Sequence, residues 1–302
     1  MTLTVLILTY NEELHIERAI KSVSDFADEV LVVDSFSNDK TRELAAALGA
    51  RVLTNPWKNY ATQFNWGLSN VSSKTSWVMR LDADEVVDQA LAKEISSCLP
   101  SALSDINGIY VRRRMSFMGK PIRWGGVFPI SVIRLFRPSF GKCEDRWMDE
   151  HIIVSGNVMH FSGEILDDNL KSISWWTQKH NSYASREVVD ILNQELKFMP
   201  SETIASLEGG QAGFKRWVKE HIYSRLPGGL RALLYFIYRF WVRLGFLDGR
   251  RGTIFHVLQG YWYRYLVDSK LYEVRRHMKD TGDLPVDAIK KVLGIDVSRE
   301  GE

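Results

Sequence analysis

Cysteine is scarce in this 302-residue chain. Only Cys98 and Cys143 are present, at no spacing that suggests zinc ligation or a disulfide framework, so a reducing compartment is expected. Long apolar runs are missing as well. No stretch approaches the roughly 18 uncharged apolar residues of a spanning helix, and the longest plausible run, Thr253 to Tyr263, is too short to cross a bilayer. The apolar N-terminal run follows no basic residue, precedes no small-residue cleavage site and is interrupted at once by Glu12 and Glu13. It reads as a buried first strand and not as a signal peptide. Charge of one sign is lacking too, since 39 Lys and Arg face 37 Asp and Glu. The balance is only global: residues 211–280 hold fourteen Lys and Arg against five Asp and Glu, whereas residues 1–200 are slightly acidic. No internal repeat or low-complexity tract is present.

What is there begins with an α/β rhythm. Leu3 to Thr9, Glu29 to Asp34, Arg51 to Leu53 and Ser76 to Leu81 read as strands. Between them Leu14, Ile16, Ala19, Ile20 and Val23 form a helical stripe over Glu13 to Val23, and Thr41 to Leu48 is a helix stopped by Gly49. A parallel sheet with covering helices follows. From about residue 107 shorter strands are expected at Ile109 to Arg112, Val132 to Phe136 and His151 to Val154, separated by Gly- and Pro-containing loops. After about residue 168 the pattern becomes helical and rich in Trp, Tyr and Arg.

Open parallel sheets bind ligands beyond the carboxyl ends of their strands, and those positions are polar here. The first strand ends in Thr9-Tyr10-Asn11-Glu12, the second in Asp34-Ser35-Phe36-Ser37-Asn38-Asp39 and the fourth in Asp82-Ala83-Asp84-Glu85. Two carboxylates at i and i+2 can converge on one hard cation, Mg²⁺ or Mn²⁺, which would bridge a diphosphate; the alternative is an acidic helix N-cap. Asp34 opens a turn suited to a base or ribose, or to ordinary capping. Thr9, Asn11 and Glu12 can line the same cleft. A second acidic pair, Asp149 and Glu150, stands just before His151 and a strand, where one carboxylate could serve as a general base. His151 and His160 are further candidate contacts, and Arg112 to Arg114 with Arg123 could hold phosphate oxygens or form a solvated strand edge.

Taken in order, Thr9-Tyr10-Asn11-Glu12, Asp34-Ser35 with Ser37 and Asp39, Leu81-Asp82-Ala83-Asp84-Glu85 and Asp149-Glu150-His151 resemble the family 2 glycosyltransferases of GT-A fold. The likeness covers roughly residues 1–190 and is nearest to the lipopolysaccharide-core and surface-polysaccharide branch. It implies an inverting transfer, from a UDP-sugar, of glucose or a related hexose to a lipid-linked or glycolipid acceptor. Asp82 and Asp84 would mark a divalent metal site, Mn²⁺ or Mg²⁺, with Asp82 and Ala83 also against the donor. Thr9, Tyr10, Asn11, Glu12 and Asp34 would line the nucleotide site, and Gln63 and Asn65 match the segment that lines its pocket. Glu150 matches the base position, with Asp149 as its rival. Two departures stand out: Phe36 replaces the usual Gly of an Asp-Ser-Gly-Ser turn, and the base motif is Asp-Glu-His.

The expected organisation is a catalytic domain over residues 1–200 and a helical region over 201–302. Arg231 to Arg243 and Thr253 to Val267 alternate aromatics with arginine, the chemistry of a membrane surface, or of a helical subdomain or oligomer interface. A peripheral position at the inner face of the cytoplasmic membrane is therefore expected. No nucleic-acid partner is expected, because the aromatics cluster in apolar runs and the first domain's front edge is acidic. A non-catalytic nucleotide-sugar scaffold and a metal-dependent nucleotidyltransferase are the competing readings. No Gly-rich, basic triphosphate loop follows the first strand, which weighs against the second.

Overall fold

A computed structural model describes residues 2–99, 105–144, 151–199 and 229–297. These fall into two compact units, one of described residues up to Lys171 and the other of those from Ser172 onward.

The first unit is built on a nine-stranded sheet. Strands β1 (Leu3–Thr9), β2 (Glu29–Asp34), β3 (Arg51–Thr54) and β4 (Trp77–Asp82) pair in parallel, in the order β3-β2-β1-β4. Beyond β4 the sheet becomes mixed. Strand β8 (Ile130–Phe136) runs antiparallel to β4 and to β6 (Ile106–Phe117), followed by β11 (Asn157–Asp168) and β5 (Glu85–Val87). Short β7 (Lys120–Pro121) pairs with β6, while β9 (Gly141–Cys143) and β10 (Ile152–Val154) form a separate hairpin.

The near-continuous apolar runs of β1 and β2 are explained by cover on both faces. Alternate side chains divide between two cores: Val5, Ile7 and Val32 pack with Ile16, Ala19 and Ile20 of α1 (Ile16–Lys21), whereas Leu6, Leu31 and Val33 pack with Phe64 of α3 (Tyr60–Ser69). Each fully buried aliphatic side chain contributes about 1.5–3 kcal/mol. Helices α2 (Thr41–Ala47) and α4 (Gln89–Cys98) complete the cover, α4 with Asp88 accepting from the backbone N–H of Leu91 at 2.7 Å as its N-cap. Gly67 lets α3 press onto the sheet, since a Cβ there would lie 2.9 Å from Leu6 Cδ1 and 3.0 Å from Val33 Cγ2.

The expected parallel strands are present to within a residue or so at their ends. Helix α1 is shorter than its apolar stripe predicts, and the backbone N–H groups of Glu12 and Glu13 ahead of it donate to Thr41 Oγ1 at 2.7 Å and to Asp39 Oδ2 at 3.1 Å. Strands β5 and β11 were not expected. In β11 the pairing with β6 slips between His160 and Glu164, and Gly163 lies in that step against the backbone of Leu91, so no clean alternation marks the strand.

The second unit is helical. It holds α5 (Ile173–Leu196), α6 (Leu230–Ile237) running into a π-helical turn at Tyr238–Val242, a 3₁₀ turn at Gly245–Asp248, and α7 (Gly249–Phe255). A second π-helical segment, His256–Trp262, joins α7 to α8 (Tyr263–Thr281), and α9 (Pro285–Leu293) follows. The sequence reading sets its boundary at residue 200, but α5 belongs with the helices. Its Ala184, Val188 and Leu192 share a core with Tyr263, Val267 and Leu271 of α8 and with Ala288 and Ile289 of α9.

In this unit His180 stacks on Trp176 with ring centroids 3.5 Å apart and meets the Tyr263 ring edge-on. Burial pushes its imidazole down to about 4 from 6.5, against the Trp176 carbonyl 2.9 Å from Nδ1, which favours the protonated form. The native state thus holds the neutral ring where the unfolded chain takes up a proton, so stability is full above 6.5 and is lost as pH falls toward 4. Urea denaturation across that range should show this loss in the wild type and a smaller one in His180→Gln.

Candidate active site

Parallel register brings the polar strand ends together. Thr9 is the pairing partner of Asp34, and Leu8 that of Asp82, so the carboxyl ends of β1, β2 and β4 coincide at one edge. Asp34 is completely buried and accepts from Thr9 Oγ1 at 2.8 Å, from the Ser37 N–H at 2.7 Å and from Ser37 Oγ at 2.5 Å. These bonds close a turn in which Phe36 takes a left-handed conformation at φ 60°, with its ring exposed. Gly adopts that conformation without the cost a side chain incurs.

Asn11, also left-handed at φ 55°, links this turn to the first loop. Its N–H donates to Ser37 Oγ at 2.8 Å and its Oδ1 accepts from the Asn38 N–H at 2.8 Å. Tyr10 beside it is exposed. Glu12 turns away from solvent, taking Lys171 Nζ at 2.8 Å and His15 Nδ1 at 2.6 Å. The Leu170 N–H donates to His15 Nε2 at 2.8 Å, which leaves that nitrogen bare and places the proton on Nδ1, toward Glu12.

The two aspartates after β4 differ in surroundings. Asp82 Oδ1 accepts from Tyr60 Oη at 2.8 Å and faces Arg80 Nε at 3.4 Å, while Oδ2 faces Arg134 at 3.2 Å. Burial pushes the Asp82 carboxyl up, but the Arg80 and Arg134 guanidinium groups outweigh it and hold Asp82 well below the usual carboxylate range. Among the described residues no ion pair joins the Asp84 carboxylate, although its charge acts on the Arg113 guanidinium. Its Oδ2 accepts from Asn169 Nδ2 at 2.9 Å, and Oδ1 has no hydrogen-bond partner among the described residues. Its carbonyl is held by Arg18 at 3.2 Å and by the Asp168 N–H at 3.1 Å. Ala83 between them is buried.

Beneath this edge Arg134 of β8 and Glu85 form a close ion pair, both almost wholly buried. Glu85 also accepts from the Asp82 N–H at 3.0 Å. Burial raises the Glu85 carboxyl; Arg134 opposes the rise and the Asp82 anion adds to it. Tyr60 is raised well above the phenol range, chiefly by burial.

Helix α3 ties these parts together. From it Tyr60 reaches Asp82, and Gln63 Nε2 donates to Ser35 Oγ at 3.0 Å and to the Asn55 carbonyl at 3.1 Å. Gln63 is fully buried, with Oε1 accepting from Asn55 Nδ2 at 2.7 Å. Asn65 clamps the Cys143 peptide through bonds of 2.9 and 3.0 Å. Cys143 pairs with Ile152, and the Glu144 N–H donates to the His151 carbonyl at 3.0 Å. Asp149 and Glu150 lie outside the described residues, in the sequence interval between those pinned ends.

Of the other candidates, Arg113 is half-buried and near enough to Glu85, Asp82 and Asp84 for their charges to hold its guanidinium protonated. His160 stacks on Tyr110, its pairing partner, with ring centroids 4.7 Å apart. Arg113 and Arg114 make cross-strand ion pairs with Asp167 and Glu164 at 3.2 and 3.1 Å. Sequence reasoning gave no role to Tyr60, Arg80, Arg134 or Asn169, and quoted Glu85 only as part of its strand-end motif. A lone arginine in the apolar strand Ile130–Phe136 was the available signal for one of them.

Among the described residues no three His, Cys, Asp or Glu side chains converge as a metal cage. A diphosphate-bridging Mg²⁺ or Mn²⁺ needs only one or two carboxylates, the remaining oxygens coming from phosphate and water. The Asp82 and Asp84 pair fits that requirement, Asp84 through its unengaged oxygen.

Residues 4–124 match the family described as Glycosyl transferase family 2. An uncharacterized glycosyltransferase of Rickettsia typhi is 30% identical over 214 residues, 65% of this chain and 70% of the relative. The chain belongs to glycosyl transferase family 2. A second relative, an uncharacterized glycosyltransferase of Rickettsia bellii, is 42% identical over 103 residues, 34% of each chain. Among solved structures, glucosyl-3-phosphoglycerate synthase of Mycobacterium tuberculosis, in complex with Mn²⁺, UDP and glucosyl-3-phosphoglycerate, is 26% identical at a TM-score of 0.31. That match spans 37% of this chain and 44% of the synthase, less than half of its length.

The buried pair beneath the edge makes a direct expectation. Replacing Arg134 with Met leaves Glu85 without its counter-charge and should cost about 3 kcal/mol in urea denaturation. The double variant Arg134→Met with Glu85→Leu should recover most of that loss.

Proposed function

We infer that this family 2 glycosyltransferase transfers a hexose from a UDP-sugar, with inversion, to a lipid-linked or glycolipid acceptor in bacterial lipopolysaccharide or surface-polysaccharide synthesis. The inner face of the cytoplasmic membrane is where such an acceptor would be met. One observation carries the reading: register and loop bonds gather the Thr9, Asn11 and Asp34 turn and the Asp82 and Asp84 carboxylates at the carboxyl edge of one parallel sheet. That edge is where open sheets of this kind take ligands.

In this reading Asp34 acts by holding its turn, so that the exposed Tyr10 and Phe36 and the backbone beside them face the nucleotide. Asp84, oriented by Asn169, and Asp82, kept ionised by Arg80 and Arg134, hold a divalent cation, Mn²⁺ or Mg²⁺. Such a cation, when bound, would supply positive charge to the departing diphosphate. Glu150, with Asp149 as the alternative, takes the proton of an acceptor hydroxyl. The acceptor oxygen bonds to the anomeric carbon while the carbon–oxygen bond to the diphosphate breaks on the opposite face, releasing UDP. Attack from that side inverts the anomeric centre.

The test is nucleotide release by the purified protein with Mn²⁺ or Mg²⁺, a panel of UDP-, GDP- and TDP-sugars and a bacterial lipid extract. Metal-dependent UDP release, stimulated by the extract, is expected, with Glu150→Gln lower by at least about a hundredfold and Asp84→Asn losing turnover with the fold retained. Wild-type rates in both variants would overturn the assignment, and pyrophosphate as product would point to nucleotidyl transfer. Asn65 gives a finer check. Because its amide is spent on Cys143, Asn65→Ala should lower kcat while the UDP dissociation constant, measured by calorimetry, changes less than about twofold.

A further inference from the structure

On a helix packed against a core the apolar stripe faces inward, but α6 and its π-helical continuation present theirs outward. Leu230, Leu233, Leu234, Ile237, Tyr238 and Trp241 recur at helical spacing on one face, and all six are exposed. The same stretch buries Ala232 and Arg239, the latter on Gln259 of the second π-helical segment and over the Phe255 ring at 5.8 Å. Its first turn is tied to α8, where Asp268 accepts from Arg231 Nε at 2.7 Å and from the Gly229 N–H at 3.1 Å. The inner side of this element is anchored by these polar contacts and by Phe236 and Phe240 against Tyr261 and His256, while the six exposed apolar side chains make up its outer side.

The exposed face continues past the helix. Val242, Leu244, Phe246 and Leu247 are exposed, with Trp241 at 59% and Val242 at 65%. Trp241 and Phe246 hold the helix end and the 3₁₀ turn together, with ring centroids 5.5 Å apart. Charge identifies what this face meets. Of the six arginines from Gly229 to Arg264, Arg231 and Arg264 pair with Asp268 and Glu187 and Arg239 is buried, and the one acidic residue of that stretch, Asp248, is buried as well. Arg243, Arg250 and Arg251 are exposed beside the apolar tip.

We propose that the outer face of residues 230–247 inserts into the surface of an anionic phospholipid membrane, with Arg243 and Arg250 on the lipid phosphates. Residues 230–242 make about 20 Å of helix, too short to cross a hydrocarbon layer of about 30 Å, so the segment lies in the interface. This narrows the expectation drawn from composition. Of the two aromatic stretches, Thr253 to Val267 contributes Phe255, His256, Gly260, Tyr263 and Val267 to the interior. The proposal rests on the membrane-acceptor reading of the function, yet it is tested without glycosyl transfer.

The experiment is flotation of the full-length protein with vesicles of phosphatidylcholine, with and without phosphatidylglycerol, alongside size-exclusion chromatography and UDP calorimetry. The wild type should float with the anionic vesicles at least about tenfold more than with neutral ones. Trp241→Glu should lose that binding by about tenfold or more with its UDP affinity unchanged. The double variant Arg243→Gln with Arg250→Gln should lose the preference for anionic lipid. Equal flotation of wild type and Trp241→Glu, or none by the wild type, overturns the proposal. So does a wild-type oligomer that Trp241→Glu converts to monomers, since the face would then cover a second copy of the chain. A wild type that floats but releases no nucleotide from any donor would sink the enzymatic reading and leave this surface standing.

Discussion

Parallel pairing of β1 with both β2 and β4 is the constraint on which the rest of the first unit depends. A parallel strand inside a sheet must have both faces covered, so β1 and β2 carry apolar side chains at nearly every position and need a helical layer on each side. The same pairing sets the register in which Thr9 meets Asp34 and Leu8 meets Asp82. Slipping β1 by one residue would turn Val5 and Ile7 from one core to the other, and that penalty fixes the alignment of the polar strand ends. The site is precise because the hydrophobic core beneath it is.

Placing carboxylates at such an edge is costly, and the protein meets the cost unequally. Asp82 is charge-paired with Arg80 and Arg134 and hydrogen-bonded by Tyr60, whereas Asp84 has an amide, Asn169, and one carboxylate oxygen without a hydrogen-bond partner among the described residues. The two aspartates thus sit in different surroundings, the first tied to the scaffold with its charge retained and the second held by a single neutral donor. Residues Asp168 to Lys171 reinforce this edge: Asp168 takes Arg18, Asn169 takes Asp84, Leu170 reaches His15 and Lys171 reaches Glu12. Helix α3, seated close on the sheet at Gly67, adds Tyr60, Gln63 and Asn65 to the same framework.

The helical unit uses its amphipathic elements in two ways. Helices α5, α8 and α9 turn their apolar faces to a shared core. The α6 stretch does the reverse, burying an arginine and exposing leucines and a tryptophan. α6 is also the more apolar, with one charged residue in eight, and the direction of its face is opposite to that of α5, α8 and α9.

Much of the scaffold was legible in the sequence. The strands Leu3 to Thr9 and Glu29 to Asp34, the break at Gly49 and the polar residues at three strand ends follow from patterning, because alternation, punctuation and strand-end chemistry are local properties. The family resemblance followed from motifs in the same stretches. Partners distant in sequence were not legible. Arg134 finds Glu85 and Asp82 only because β8 lies beside β4, Asn65 finds Cys143 only because α3 meets the β9 hairpin, and β11 was hidden by a step in its register. A side chain's type and its place along a strand are written in the chain, but the identity of the group it faces is set by which elements become neighbours. That is decided by the packing of the whole sheet.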